Sequence, residues 1–456
     1  MPRLVLVGTL AIAALAAPQA AFGADRVWIE GRGDGHGIGL SQEGARGFAA
    51  RGWGYRRILA HYYRGTSIGR LAPGRVVRVL LSSGGPASFS GASDVGGVAL
   101  HPGQTYTAVG APGGRIEVRS GSRAIARGGS PLQVRGSGVL NVAGGTYRGS
   151  VELTAVAGGV QVVNAVPLEE YVRGVVSAES PASWPMQELR AQAVAARGYA
   201  VTTSHGGGFD EYADTRSQVY RGVAAETART DAAAQATAGQ VVTYHGRAVT
   251  TYFFAASGGH TENVEDSFVG AKPEPWLKGV PDPYEHSPDH AWRRGPFTRA
   301  QLAAKLGDRV QGGFERVVVT QRGASPRIVH AVVVGTRGRR KVTGPDLKAR
   351  LGLLDTWATF VDVSTVPAPA GPALAAGVGL GGGVQVRARA ARAVRGTIAP
   401  GPRGTVVSVQ REHRGRWHTI AATRLRSGGG YAALVPQVGT YRVRYRGLAG
   451  PAVRVR

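Results

Sequence analysis

Apolar residues recur along this chain with two different periods. Between Arg75 and Asn164, short runs such as VVRVLL, RIEVRS and SVELTAV are broken by Gly, Pro and Ser, which predicts β-strands joined by tight turns. The period changes at Val166. In VPLEEYVRGVVSAESPASWPMQELRAQAVAARGYAV (Val166 to Val201), Pro167 opens a helix where its missing amide hydrogen costs nothing, and Glu169 and Glu170 sit at the positive end of the helix dipole. Pro181 forces Ser180 into an extended conformation, so that helix must stop, and Pro185 starts a second one. The second helix carries Met186, Leu189, Ala193, Ala196 and Ala200 at spacings of three and four, the stripe of a helix packed on a core. Arg190 and Arg197, nearly two turns apart, project from one face. Glu179 is thereby held on a short, stiff connection close to Trp184.

On the amino side, Val27 to Glu30 reads as a strand, and the alternating glycines from Gly31 to Gly39 demand a tight loop. Ser41 can cap the following helix, which buries Phe48; a further helix carries Ile58, Leu59 and Tyr62. A dinucleotide-binding reading of this strand, loop and helix fails, because no register gives G-x-G-x-x-G and no βαβ unit follows. On the carboxyl side come an Ala-rich helix (Ala224 to Gly239), two strands around the His245-Gly246 turn, a second glycine loop, and a short amphipathic helix with a strand between Thr343 and Phe360. Pro367, Pro369, Pro372 and an Ala/Gly run to Gly383 read as a linker. Beyond it, VQVRARA, TVVSVQREH, WHTIAATRL and TYRVRYRG with Gly-rich turns match a small Ig-like β-sandwich. The expected fold class is α+β: a β-rich domain with a few helices over residues 25–360, a linker at 361–383 and the sandwich at 384–456.

With 456 residues and 43% hydrophobic content the chain supports two or three cored domains, and a formal charge of +26 calls for a polyanionic neighbour. Nucleic acid is the usual first guess for that neighbour but is not expected here: the arginines are scattered through strand-like segments, with no binding motif and few interleaved aromatics. Arg3, an apolar run from Leu4 to Ala17 and small residues at Ala21, Gly23 and Ala24 form a secretory signal cleaved near residue 24, although an uncleaved anchor would look similar. The mature chain then meets anionic wall polymers or a membrane surface. The absence of Cys fits an exported protein without disulfides.

The run LEEY, GVV, a Glu followed by Ser-Pro, ASWP and AQAVAARGYA resembles the SpoIID/LytB family of bacterial cell-wall proteins. The glycine loop GHGIGLSQ and the later ILAHYYRGT also resemble that family, but there they close the domain and here they open it, an order that looks circularly permuted. Such an order requires the two ends of the domain to meet in space. The resemblance implies a SpoIID-like catalytic domain in which Glu179 is the catalytic acid and Arg197 is needed for function. Arg190 stands where relatives often carry Lys. It further implies a substrate groove that includes Trp184, His36, Ser41 and Gln42. His36 reads equally as a loop brace bonded to backbone. DEYADTRSQVYRG (Asp210 to Gly222) resembles a family segment around which some members hold zinc. Ala213, Arg216 and Ser217 are not usable ligands, so neither metal nor other cofactor is expected. Gln218 and Tyr220 face the groove or form a plain turn. Ser257, His260 and Thr261 correspond to a sugar-binding motif, while a serine hydrolase built on Ser257 and His260 lacks the G-x-S-x-G elbow and a third member. Pro288 spoils a helical pairing of His286 with His290, and Trp276 and Trp292 stack on sugar or fill core.

The implied activity is lytic transglycosylation of peptidoglycan: one protonated Glu cleaves the β-1,4 bond between N-acetylmuramic acid and N-acetylglucosamine, and the C6 hydroxyl closes an anhydro ring, so no second carboxylate is needed. Arg197 and Arg190 would orient the acid or bind the lactyl carboxylate. The rival is a non-catalytic wall-binding factor that stimulates a cell-wall amidase. The basic C-terminal sandwich reads as a tether to anionic wall polymer or as a spacer.

Overall fold

The computed structural model describes residues 25–369 and 392–456; the expected signal at 1–24, the linker from 370 onward and the VQVRARA run lie outside the described residues. Contacts divide the chain into two units, one of residues 30–293 and 303–359, the other of 25–29, 294–302, 360–369 and 392–456. The fold is mixed α and β, rich in strands arranged in several sheets. Among the described residues no helix is long and apolar enough to cross a membrane.

In the first unit the helices that position the site are α1 (Gln42–Ala49), α2 (Tyr55–Tyr62), α3 (Leu168–Glu179), α4 (Met186–Thr202) and α5 (Ala228–Ala236), and the short helix expected after Thr343 is Gly344–Leu351. The strands that position the site are β1 (Leu40–Ser41), β2 (Val76–Ser83), β3 (Ser150–Val156), β4 (Gly159–Pro167), β5 (Glu211–Tyr212) and β6 (Phe253–Phe254). β4 is paired antiparallel on both sides, Val162 with Leu153 of β3 and Val166 with Val77 of β2. It runs straight into α3. Pro167 and Pro185 are the N-caps of α3 and α4, each one residue before the helix. Ser180 ends α3 at φ −124°, ψ 128°, the extended conformation that Pro181 imposes.

α4 is the centre of this unit. The pattern of its sequence predicts one apolar stripe, yet the helix is buried almost all round. Leu189, Ala193, Ala196 and Ala200 face a core shared with α3 and the large sheet, whereas Ala191, Val194 and Ala195 face a second core with α1 and α2. Small residues make this close packing possible: a Cβ on Gly198 would lie 2.4 Å from Thr251 Oγ1. The amino-terminal glycine loop is pinned to the same region, by bridges from Asp34 to Ala256 and Ile38 to Glu262 and by parallel pairing of β1 with β6. Gly33, Gly35, Gly37 and Gly39 all adopt positive φ. At Gly35 a side chain would strike Phe254, its Cβ 2.7 Å from that of the ring-bearing residue.

In the second unit, residues expected as linker are structured: Val366–Pro369 forms a strand paired with Arg392–Ala399, and Val361 and Val363 enter the core. Pro367 and Pro369 are tolerated because that strand has a partner on one side only. Two antiparallel layers share the core, with Val394, Tyr431 and Ala433 from one and Val409, Tyr441 and Val443 from the other. Trp28 packs against this core and donates from Nε1 to the Ala449 carbonyl at 3.1 Å.

Candidate functional site

Glu179 is the last residue of α3, so its backbone leaves the helix where Pro181 stops it. The parallel pairing of β5 with β2, Glu211 opposite Val79, carries the segment after it past the end of α3. There the Val219 amide donates to Glu179 Oε1 at 2.7 Å. From the opposite side, at the start of α1, Gln42 Nε2 donates to Glu179 Oε2 and to its carbonyl, both at 3.3 Å. Burial raises the Glu179 pKa above the ordinary carboxylate value, and the Val219 and Gln42 donors offset only part of that rise.

The carboxyl lines a cleft of about 480 Å³. The cleft is lined by Glu179, Gln42, Tyr199 and the stretch from Thr215 to Ser217, together with Asp34, His36 and the aromatic group Tyr252, Phe254 and Phe268. His36 packs edge-on to Tyr252 at 5.9 Å, and Phe268, 38% exposed, packs edge-on to Tyr252 at 5.2 Å. Aromatic faces beside polar donors are the usual lining of a sugar-binding cleft. The two readings of His36 coexist: it lines the cleft, and its Nδ1 accepts the Ile38 amide at 3.0 Å. Burial, then the Lys348 and Arg327 charges, push its pKa down to about 3, so the ring is neutral and its remaining N–H serves the Phe253 backbone. Asp34 is a second carboxyl in the cleft. Burial raises its pKa against the opposing pull of Lys348, whose ammonium donates to the Gly35 carbonyl at 2.7 Å.

Other residues singled out in the sequence do not reach this cleft. Arg197 is completely buried and spends its guanidinium elsewhere, in a two-pronged pair with Glu169 at 3.0 and 2.8 Å and in bonds to the Ala193, Gln240 and Ala234 carbonyls. It clamps α3 and α4 to the chain around Gln240. Tyr199 lines the cleft instead: two residues along a helix are roughly 200° apart, so Arg197 and Tyr199 leave α4 on opposite sides. Arg190 forms no hydrogen bond or ion pair among the described residues, and its Nε is buried without a partner. Trp184 packs on the first core under the Arg46 guanidinium, 5.4 Å away. Gln218 is buried and donates to Tyr171, and Tyr220 is a core residue whose hydroxyl donates to Asn164. Ser41 caps α1 by accepting from the Gly44 amide at 3.1 Å. Ser257 is buried and donates to Asp282, while His260 Nδ1 contacts the Thr261 carbonyl. The glycine loop holding Ser257 and His260 is braced by Arg327, which bonds both their carbonyls and pairs with Asp355 in the interior. Trp276 and Trp292 donate their indole N–H groups to the Thr250 and Gly33 carbonyls.

Two further buried carboxyls carried no sequence signal. Glu188, on the first turn of α4, accepts from the Ser180 hydroxyl at 3.0 Å, and burial raises its pKa to about 8. Glu211 is raised to about 7, again mainly by burial, with donors on Thr203 and Ser217 opposing. Ser217 also contacts His205 Nε2 at 2.8 Å and accepts the Tyr212 amide.

The segment that builds α3, α4 and the Val219 donor matches a known family. Residues 156–244 match the family model described as Stage II sporulation protein (SpoIID), and over this segment the chain is similar to that family. It is 33% identical over 215 residues to Stage II sporulation protein D of Bacillus subtilis (strain 168), covering 42% of this chain and 60% of that protein. The protein of the same name from Bacillus amyloliquefaciens is 30% identical over 209 residues, covering 42% of this chain and 59% of the relative. The Amidase enhancer of Bacillus subtilis is 36% identical over 110 residues, 24% of this chain and 14% of the relative.

Proposed function

We propose that this chain is an exported, extracytoplasmic lytic transglycosylase that cuts peptidoglycan glycan strands between N-acetylmuramic acid and N-acetylglucosamine. One observation carries this reading: Glu179 lies at the wall of an aromatic-faced cleft with its pKa raised by burial. Val219 holds Oε1 as an acceptor at 2.7 Å, which leaves Oε2, with only the long contact to Gln42, to carry the proton. Glu179 gives that proton to the glycosidic oxygen as the bond to C1 breaks and positive charge builds on the sugar. The C6 hydroxyl of the same sugar then attacks C1 and returns its proton to Glu179, leaving a 1,6-anhydro end. The acid is regenerated and no water is consumed. The immunoglobulin-like reading of the second unit is supported by its two antiparallel layers on one core.

The relative named Amidase enhancer favours a second reading, a non-catalytic wall-binding factor that acts on an amidase. Incubation with purified glycan strands followed by mass spectrometry separates the two. Wild-type protein yields anhydromuramyl ends and Glu179→Gln yields none; wall binding without product from either protein leaves the enhancer reading standing.

A further inference from the structure

The carboxyl-terminal unit holds charge in an arrangement that its own fold does not neutralise. Residues 392–456 contain thirteen Arg, no Lys, no Asp and a single carboxylate side chain, Glu412. The sheet built from Val406–His413, Arg416–Arg424, Gly439–Tyr445 and Val453–Val455 places Val407, Val409, Tyr441, Val443, Val453 and Val455 in the core. Paired residues share a face and alternate residues take opposite faces. The register therefore sends Arg424 (opposite Val406), Arg442 (opposite Gln410), Arg444 (opposite Ser408) and Arg454 (opposite Thr440) to the outer face.

The partners of these arginines are neutral. Arg442 lies 4.2 Å from the Trp417 ring and donates to Gln410 Oε1 at 2.9 Å, and Arg424 donates to the Gly404 carbonyl at 2.8 Å. Among the described residues none of the four forms an ion pair with a carboxylate. Partial burial and the adjacent Arg444 charge pull the Arg442 pKa down, with Glu412 opposing. Like charges set side by side repel, and an anion bridging them relieves that repulsion.

We infer that this outer face binds a linear polyol-phosphate polymer of the cell wall, with phosphodiester oxygens seated on Arg424, Arg442, Arg444 and Arg454. Side chains two apart on a strand repeat at roughly 7 Å and neighbouring strands at about 4.8 Å, so a flexible backbone with one charge per repeat can meet several guanidinium groups in succession. The planar guanidinium fork matches phosphate oxygens. Nucleic acid fits less well: Arg442 already covers the Trp417 face on which a base would stack, and the face of a sheet of several strands offers no helix or two-stranded ribbon to a groove. The wall as the source of the polymer rests on the extracytoplasmic reading above, whereas the binding itself needs no cleavage.

Binding of the full chain to soluble poly(glycerol phosphate), followed by titration calorimetry, tests the inference. With four phosphate contacts the affinity falls roughly 50-fold between about 50 and about 200 mM salt. Arg442→Gln/Arg444→Gln weakens binding at least roughly tenfold with an unchanged melting temperature, and Arg339→Gln/Arg340→Gln, the same charge change in the first unit, leaves it within about twofold. Equal losses in the two double variants overturn the inference. So does tighter binding to a single-stranded oligonucleotide of equal charge or to phosphatidylglycerol vesicles. Glycan cleavage is assayed separately on the same proteins, so failure of the enzymatic reading and failure of this one produce different results.

Discussion

Glu179 and Glu188 stand on either side of the Ser180 elbow, and burial raises both carboxyl pKa values. For Glu179 the consequence under the proposed mechanism is kinetic: there the protonated form starts the reaction, so the rate is expected to fall as pH rises through its pKa. Gln42 donates to Oε2 and favours the carboxylate, so Gln42→Ala raises the pKa further. The variant is expected to be roughly tenfold slower, because the acid is less firmly held, with its alkaline limb moved to higher pH. A pH–rate profile checks this, and a limb that stays put or moves toward acid refutes it. For Glu188 the consequence is stability. Its folded pKa, about 8, lies above the unfolded carboxyl value, so the folded state binds the extra proton between the two. Stability is fully present below the unfolded pKa and is lost as pH rises toward about 8. Glu188→Gln keeps an acceptor for Ser180 and removes the titration. Its melting temperature should exceed that of the wild type by a margin that widens from pH 5 to pH 9, a gain on the order of a few kcal/mol at the alkaline end. A margin independent of pH contradicts the assignment.

At the scale of elements, α4 does two jobs on opposite sides. Its Arg197 side holds α3 and the Gln240 region together, and its Tyr199 side faces the cleft. Arg197→Lys cannot reproduce the two-pronged pair with Glu169 or the three carbonyl contacts, and disrupting a buried charge cluster of this kind costs roughly 3–5 kcal/mol. The expected outcome is a large fall in melting temperature with cleavage per folded molecule close to wild type. A stable variant with lost activity would return Arg197 to the chemistry. The proline-bounded helices and the Glu179 elbow were legible in the sequence because their causes are local: Pro181 acts on its neighbour. The full burial of α4 was hidden because the stripe of Leu189, Ala193, Ala196 and Ala200 marks one side only, while Ala191, Ala195 and Gly198 beside it are small enough for either surface or core, and only the second core and Thr251 decide between them. The aromatic wall was hidden for another reason. Tyr252 and Phe254 reach the cleft that Glu179 lines through the parallel pairing of Phe253–Phe254 with Leu40–Ser41, a contact between residues more than two hundred positions apart. Gln42 is legible only through the resemblance, and its bond to Glu179 ties a block at residues 36–42 to the candidate site around residue 179.

At the scale of the whole chain, the order of residues and the order of units differ. The sequence places a boundary at residue 360, yet residues 25–29 and 294–302 belong to the same compact unit as the carboxyl-terminal strands. Trp28 shows what this means physically, since its ring packs on the core of that unit and its Nε1 bonds the Ala449 carbonyl. Val361 and Val363 also fill that core from the stretch expected to be linker. A chain ending at Pro369 would keep the residues that line the cleft, all within residues 34–268. It would also keep Trp28, Val361 and Val363 while losing every strand from Arg392 onward that covers them. Apolar side chains left without cover promote association and dye binding. The truncated chain is therefore expected to bind an apolar fluorescent dye strongly and to aggregate on concentration, and replacing Trp28 and Val363 with Ser should reduce both. Dye binding as low as that of the full chain, with a sharp thermal transition, would mean that residues 25–360 stand alone as the linear order suggests and that the shared core contributes little.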